Sequence, residues 1–244
     1  MYRKTLLLCL IALTCVPDSG FLSLAQDREG SIRVTSRDDM LRKLPESVSY
    51  LLPAFTESTL VYANGSSADG KVNICLLDNS VRFINPSGDT LLLANADFVS
   101  SVMAGDTLLI QRDGQFVKCI SLYGDLSLCE RRSFTFSEPV EDAGYSGIPA
   151  TSTAKQVRVQ SVDYARTYGR EVEIPWKLKT EYVLDDGSRT IPARRSSFIK
   201  LFPECADQVR AFIKEHSVDF KDLDDLVGLF QYCAETDMSL KDKQ

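Results

Sequence analysis

Residues 71–77, 80–85, 90–95, 98–104, 107–111, 115–122 and 126–136 are short runs rich in Val, Ile, Leu, Phe and Thr. Between them stand groups that turn a chain: Asp78-Asn79, Pro86-Ser87-Gly88, Gly105-Asp106, Asp113-Gly114 and Gly124-Asp125. Short strands with regular turns predict an antiparallel sheet that folds over as a sandwich or partial barrel. One phrase recurs: Gly88-Asp89-Thr90-Leu91-Leu92 returns as Gly105-Asp106-Thr107-Leu108-Leu109 and is echoed by Gly124-Asp125-Leu126. Glycine reaches φ > 0 at little cost and Asp bonds nearby amides, so each phrase is a turn running into a strand. The repetition predicts a β-meander. An earlier strand, 58–63, ends at the hairpin signal Asn64-Gly65.

Farther on, Val172, Ile174, Trp176, Leu178, Thr180, Tyr182 and Leu184 keep strict period two, with Glu171, Glu173, Lys177, Lys179 and Glu181 between them. That pattern predicts one long strand with a buried and a wet face, and it places Trp176 in the core. Asp185-Asp186-Gly187-Ser188 then turns the chain into residues 189–193. From there the period changes. Ser196-Ser197 start a short helix through Phe202, and Pro203 suits the start of a second that carries Val209, Phe212 and Ile213 on one face. A third opens at 219–222, with Leu223, Leu226, Val227, Phe230 and Cys233 in one stripe. The fold class expected is therefore α+β: a mostly antiparallel β-meander followed by a C-terminal helical hairpin.

The N-terminus carries Arg3 and Lys4, an apolar core from Leu6 to Leu13, and small residues at Ser23 and Ala25. This layout predicts a secretory signal over 1–25, with a retained membrane anchor and a lipoprotein at Cys15 as the alternatives. The apolar core is short for a span, and no small-residue lipobox precedes Cys15. The expected organisation is a mobile leader over 26–47 with room for a short helix around Arg37 to Leu44, a β region over 48–137, an exposed Pro/Gly/Ser-rich loop over 138–155, the long strand and helices over 156–235, and a tail over 236–244. The product is expected to be exported, to the periplasm or cell surface, with no membrane span in the mature chain.

The whole chain has 28 basic and 34 acidic residues; removing Arg3, Lys4 and Asp18 with the signal leaves 26 and 33, a formal charge of −7. An acidic chain without a basic block is a poor partner for nucleic acid, whose binding is dominated by phosphate contacts. A protein or glycan of the envelope is the partner expected. Cys75, Cys119, Cys129, Cys205 and Cys233 remain after cleavage. Their spacing resembles no zinc site and no cofactor is expected. Two bridges and a leftover thiol, or buried reduced thiols, are the readings open. Cys205 and Cys233 fall at the same end of the helical hairpin, which makes them one candidate disulfide. Cys119 and Cys129 are the other. A three-residue loop puts them opposite each other, whereas a two-residue Gly124-Asp125 turn sends one to each face of the sheet.

No catalytic constellation stands out. His216 is the sole histidine and has no nucleophile motif beside it. Asp185-Asp186 and Asp222-Asp224-Asp225 are carboxylate clusters that turn and helix-start roles explain. Trp176, Tyr182, Tyr164 and Tyr168 compose an alternative aromatic sugar-binding face, and Arg194, Arg195 and Lys200 a small solvated basic spot.

Tyr50-Leu51-Leu52-Pro53-Ala54-Phe55-Thr56, Phe83-Ile84-Asn85-Pro86-Ser87-Gly88-Asp89-Thr90-Leu91, Leu201-Phe202-Pro203, Phe212-Ile213 and Asp219-Phe220 resemble uncharacterised exported proteins of Bacteroidetes-type bacteria. The resemblance covers most of the mature chain, rests on structural motifs, and implies a periplasmic or surface location without an activity. It also implies candidate O-glycosylation at Asp-Thr followed by an apolar residue, which Thr90 and Thr107 satisfy. Together these readings point to a non-enzymatic binding or structural module of the envelope. The alternative is a secreted hydrolase using paired carboxylates near 138–153, with glycans as a candidate substrate class.

Overall fold

The computed structural model describes residues 28–137 and 171–241. The chain forms an α+β fold in which one large antiparallel sheet precedes a group of helices. The strands are β1 (Arg28–Val34), β2 (Thr56–Tyr62), β3 (Ser67–Cys75), β4 (Ser80–Ile84), β5 (Thr90–Leu92), β6 (Val99–Ala104), β7 (Thr107–Arg112), β8 (Gln115–Tyr123), β9 (Leu126–Phe136), β10 (Val172–Asp185) and β11 (Thr190–Pro192). The helices are α1 (Arg37–Lys43), α2 (Glu46–Ser49), α3 (Arg195–Leu201), α4 (Ala206–Glu215) and α5 (Leu223–Lys241). Among the described residues no helix is long and apolar enough to cross a membrane.

Strands lie in the order β1-β10-β9-β8-β7-β6-β2-β3-β4-β5, with β11 beside β10. The end strands β1 and β5 do not pair, so the sheet is open. The single meander expected is two meanders, β2 to β5 and β6 to β10, joined where β6 pairs with β2. At that junction the Ala63 amide donates to the Phe98 carbonyl at 2.8 Å, tying the exit of β2 to the entry of β6. The three residues of β5, all exposed, are left as a short edge.

The leader expected over 26–47 is part of the fold from Arg28 onward, and the short helix read around Arg37 to Leu44 is α1. Residues 28–34 form β1 against β10, with Ile32 across from Ile174 and Val34 across from Val172. A long strand such as β10 has an edge of backbone donors and acceptors to satisfy, and two inward apolar residues are enough to hold a partner there. Gly30 lies across from Trp176, and a Cβ there would come within 2.8 Å of the indole ring. The tail expected from 236 likewise continues as α5 to Lys241, and buried Asp237 accepts a hydrogen bond from the Tyr123 hydroxyl at 2.9 Å.

Two large cores share the sheet with a small third cluster of Ile110, Val117, Cys129 and Val183, against which Leu108 and Cys119 pack. The first joins β1 and the N-terminal half of β10 to β2, β3, β4, β6, β7 and β8, with Met40 of α1, Leu44 just after it and Val48 of α2 packed into the same cluster. Buried Asn73 fixes its rim: its Oδ1 accepts from the amides of Leu52 and Ile74, and its Nδ2 donates to the Leu52 carbonyl. The second core lies between the C-terminal half of β10 and the helices, where Phe198, Phe202, Val209, Leu226, Phe230 and Cys233 are buried.

Candidate functional site

On the sheet around β7, β8 and β9 lies an open depression of about 540 Å³. Its geometry starts from one irregularity. The Gly124-Asp125 pair makes a two-residue turn, with Gly124 at φ 55° and Tyr123 paired to Leu126. Continued without interruption, that register would place Cys119 across from Glu130. A β-bulge between Cys119 and Ser121 shifts it, and Cys119 lies across from Cys129. The expectation that a two-residue turn separates the thiols is thereby corrected: the extra residue, Ile120, restores the match. The same bulge leaves Ile120 and Tyr123 packed against the helical core while Leu122 is exposed on the other side.

The two sulfurs are 3.6 Å apart, with the Cys129 thiol donating to Cys119, and Ser127 Oγ lies 3.2 Å from the Cys129 sulfur. Cys129 is fully buried, whereas half-buried Cys119 lines the depression. The bond received from Cys129 pulls the Cys119 thiol below its ordinary range, helped by Ser127 and the Arg112 charge against the opposing effect of burial. Cys129 is raised, because it is the donor in that bond and because it is buried. Both are free thiols.

Arg112 stands at the end of β7 and donates through Nε to Asp185 Oδ1 at 2.9 Å and through Nη1 to the Gln111 carbonyl. Asp185 ends β10 with its side chain 3% exposed, so the pair is anchored on the sheet side and open on the arginine side. Leu108, Ile110 and exposed Leu122 supply apolar wall. Asp186 closes one end, accepting from the Ser188 hydroxyl and from the amides of Ser188 and Arg189. Those bonds hold its carboxyl down to about 2.

The other residues singled out from the sequence fall elsewhere. Cys205 and Cys233 share the helical core as expected, but both are free, and the Cys205 thiol contacts the Phe202 carbonyl at 3.7 Å. Burial pushes Cys233 up to about 12. Thr90 is exposed on β5, and Thr107 is half-buried where β7 leaves its turn. His216 caps α4, stacked on Phe212 with ring centroids 4.0 Å apart. Asp222 accepts from the Asp225 amide and Asp225 from the Asp219 amide, as helix-start roles require. Trp176 and Tyr182 are buried and offer no sugar-stacking face; Tyr164, Tyr168 and the 138–155 loop lie outside the described residues. Arg194, Arg195 and Lys200 are exposed.

Sequence reasoning missed Arg112 and its role. Seventy-three positions separate it from Asp185, and no local pattern links a residue beside one turn to a residue beside another. Among the described residues, no group of three or more His, Cys, Asp or Glu side chains could hold a metal ion. Comparison with models of known protein families, with curated proteins and with solved structures returned no match.

Proposed function

We propose that the chain is an exported, non-enzymatic binding module of the bacterial envelope, and that it engages a partner protein through the depression lined by Arg112, Leu122 and Cys119. The observation that carries this reading is the combination of a fixed charge pair with an unpaired apolar rim. Asp185 holds Arg112 in place, while Leu122 is 63% exposed beside it. An arginine set among aliphatic side chains, with little left to reorganise, is the composition found where protein surfaces meet. The signal-like N-terminus and the resemblance to exported proteins support the location, and both remain independent of this surface.

The hydrolase alternative needs a carboxyl kept protonated at neutral pH. Its carboxylate pair is expected near 138–153, outside the described residues, so that alternative stands apart from the depression, where the Asp186 carboxyl is lowered. The surface Thr90 remains the more accessible of the two proposed glycan acceptors, and an intact mass equal to the bare polypeptide rules out both.

The test adds tagged protein from Gln26 onward to a solubilised envelope extract, with cross-linking, capture and identification of what is retained. The expected result is one protein enriched in repeat captures by the wild-type chain and lost with Leu122→Asp, whose exposed position leaves the fold intact. Retention of nothing, or retention indifferent to Leu122→Asp, overturns the reading of this surface.

A further inference from the structure

We propose that Cys119 and Cys129 form a thiol–disulfide exchange site that accepts a small external disulfide, with Cys119 as the attacking thiol and Cys129 as the resolving one. This assignment is independent of what protein the depression binds. Three features of position carry it. The residues are direct cross-strand partners on β8 and β9, so closure needs no rearrangement of the sheet. Their sulfurs are already 3.6 Å apart, and rotation about the side-chain bonds covers the remaining distance to a bond of about 2.05 Å. Their access also differs: Cys119 faces the open depression and Cys129 lies behind it, 0% exposed. An incoming disulfide therefore meets Cys119 first.

The surroundings agree with that order of events. The nucleophile in such exchange is the thiolate, and Cys119 is the thiol that receives a hydrogen bond, while Cys129 gives one. Arg112, fixed by Asp185, adds a positive charge near Cys119. The other thiols differ in kind: Cys75, Cys205 and Cys233 are buried, and burial raises each of them.

In the first step the Cys119 thiolate attacks one sulfur of a disulfide R–S–S–R, the S–S bond breaks, and one RS⁻ leaves. In the second, Cys129 loses its proton and attacks the Cys119 sulfur of the mixed disulfide, expelling the other RS⁻. The protein loses two electrons and two protons; the external disulfide gains both and becomes two thiols. A reducing thiol runs the sequence backwards.

The test equilibrates the folded full chain with defined mixtures of oxidised and reduced glutathione, quenches with acid, alkylates remaining thiols and maps them by peptide mass spectrometry. Mapping at the peptide level keeps Cys9 and Cys15 apart from the pair. The expected product is a Cys119–Cys129 cross-link lighter by two hydrogens, reversed by excess reduced glutathione, with Cys75, Cys205 and Cys233 still alkylatable after unfolding. In Cys129→Ser, glutathione is expected to stay on Cys119 as a mixed disulfide; in Cys119→Ser, Cys129 is expected to remain unmodified. Labelling of the native wild-type chain by a small maleimide provides a second reading that needs no variant, with Cys119 expected to react at least about tenfold faster than the buried thiols. Absence of the cross-link at the most oxidising mixture overturns the proposal. So does glutathione on Cys129 in Cys119→Ser at the rate seen on Cys119 in Cys129→Ser.

Discussion

Along one face of β10, Val172, Ile174, Trp176 and Leu178 enter a core made by other strands and by α1 and α2, while Tyr182 and Leu184, continuing the same alternation, enter a core roofed by α3, α4 and α5. The opposite face changes as well: Glu173, Lys177 and Lys179 are at least partly in water, then Val183 and Asp185 are buried beneath the depression. The first core draws on β1, more than 130 positions away from its partners in β10, and the second is assembled largely from residues 191–233. The difference teaches that alternation establishes which face of a strand is covered, and that the cover is decided by whichever segment has a complementary apolar surface and a reach to match.

The helical side is the place to strike hardest. Phe202 is 1% exposed and touches the rings of Tyr123 and Phe230, so Phe202→Ala leaves a cavity that the surrounding aromatics cannot close. The expected loss is about 3–5 kcal/mol in a urea titration. A single transition followed equally by helix and by tyrosine signals would show that the two cores unfold together; two transitions would separate them.

At the boundary of the cores, Arg112→Met strands the Asp185 carboxylate without its partner. Removing one member of a buried pair costs about 3 kcal/mol or somewhat less here, because the arginine side is partly hydrated. Restoring the match with Asp185→Leu in the same chain is expected to recover most of that loss, measured as a shift of the denaturation midpoint. Failure to recover would mean that the pair also orders the neighbouring Asp186 turn.

On the strand side, Gly30→Ala pushes a methyl group into Trp176. The expected penalty is about 1–3 kcal/mol from overpacking, with a change in tryptophan fluorescence, since Trp176 is the only tryptophan. An unchanged midpoint would show that β1 contributes little to the first core, and the comparison between the two covers would then fail.

The smallest effect is expected with acid. Asp186 has a folded-state pKa of about 2 against an ordinary 3.8, so its contribution is present above pH 3.8 and is lost as pH falls toward 2. Asp39, Asp78 and Glu181 are lowered too, and act with the same sign. Stability is expected to decline between about pH 4 and pH 2, and Asp186→Asn to make that decline less steep. A decline of unchanged steepness would count against the turn as a source of acid sensitivity.

Turn chemistry made much of this fold legible. Gly105-Asp106, Asp113-Gly114 and Gly124-Asp125 stand between β6 and β7, β7 and β8, and β8 and β9, and Pro203 begins the turn into α4. These residues act through their own backbone preferences, which need no distant partner. The loop expected over 138–155 and the signal expected over 1–25 fall outside the described residues, and the thiol pair shows where local reading stops. Two cysteines ten positions apart across a tight turn can be told from the chain, but their register depends on whether a residue bulges out, and Ile120 does so where it can add its side chain to the helical core.

What the sequence determined by itself was therefore the strands from β2 onward and the C-terminal helices, the face of β10 that is buried and the position of the turns, because each follows from periodicity or from φ preferences within a few residues. Only the tertiary structure decided that β6 returns to β2, that β1 closes the edge of β10, that Arg112 meets Asp185 and that Cys119 faces Cys129. Those outcomes depend on satisfying backbone groups and filling volume between segments far apart in the chain, and that competition is settled over the whole sheet at once.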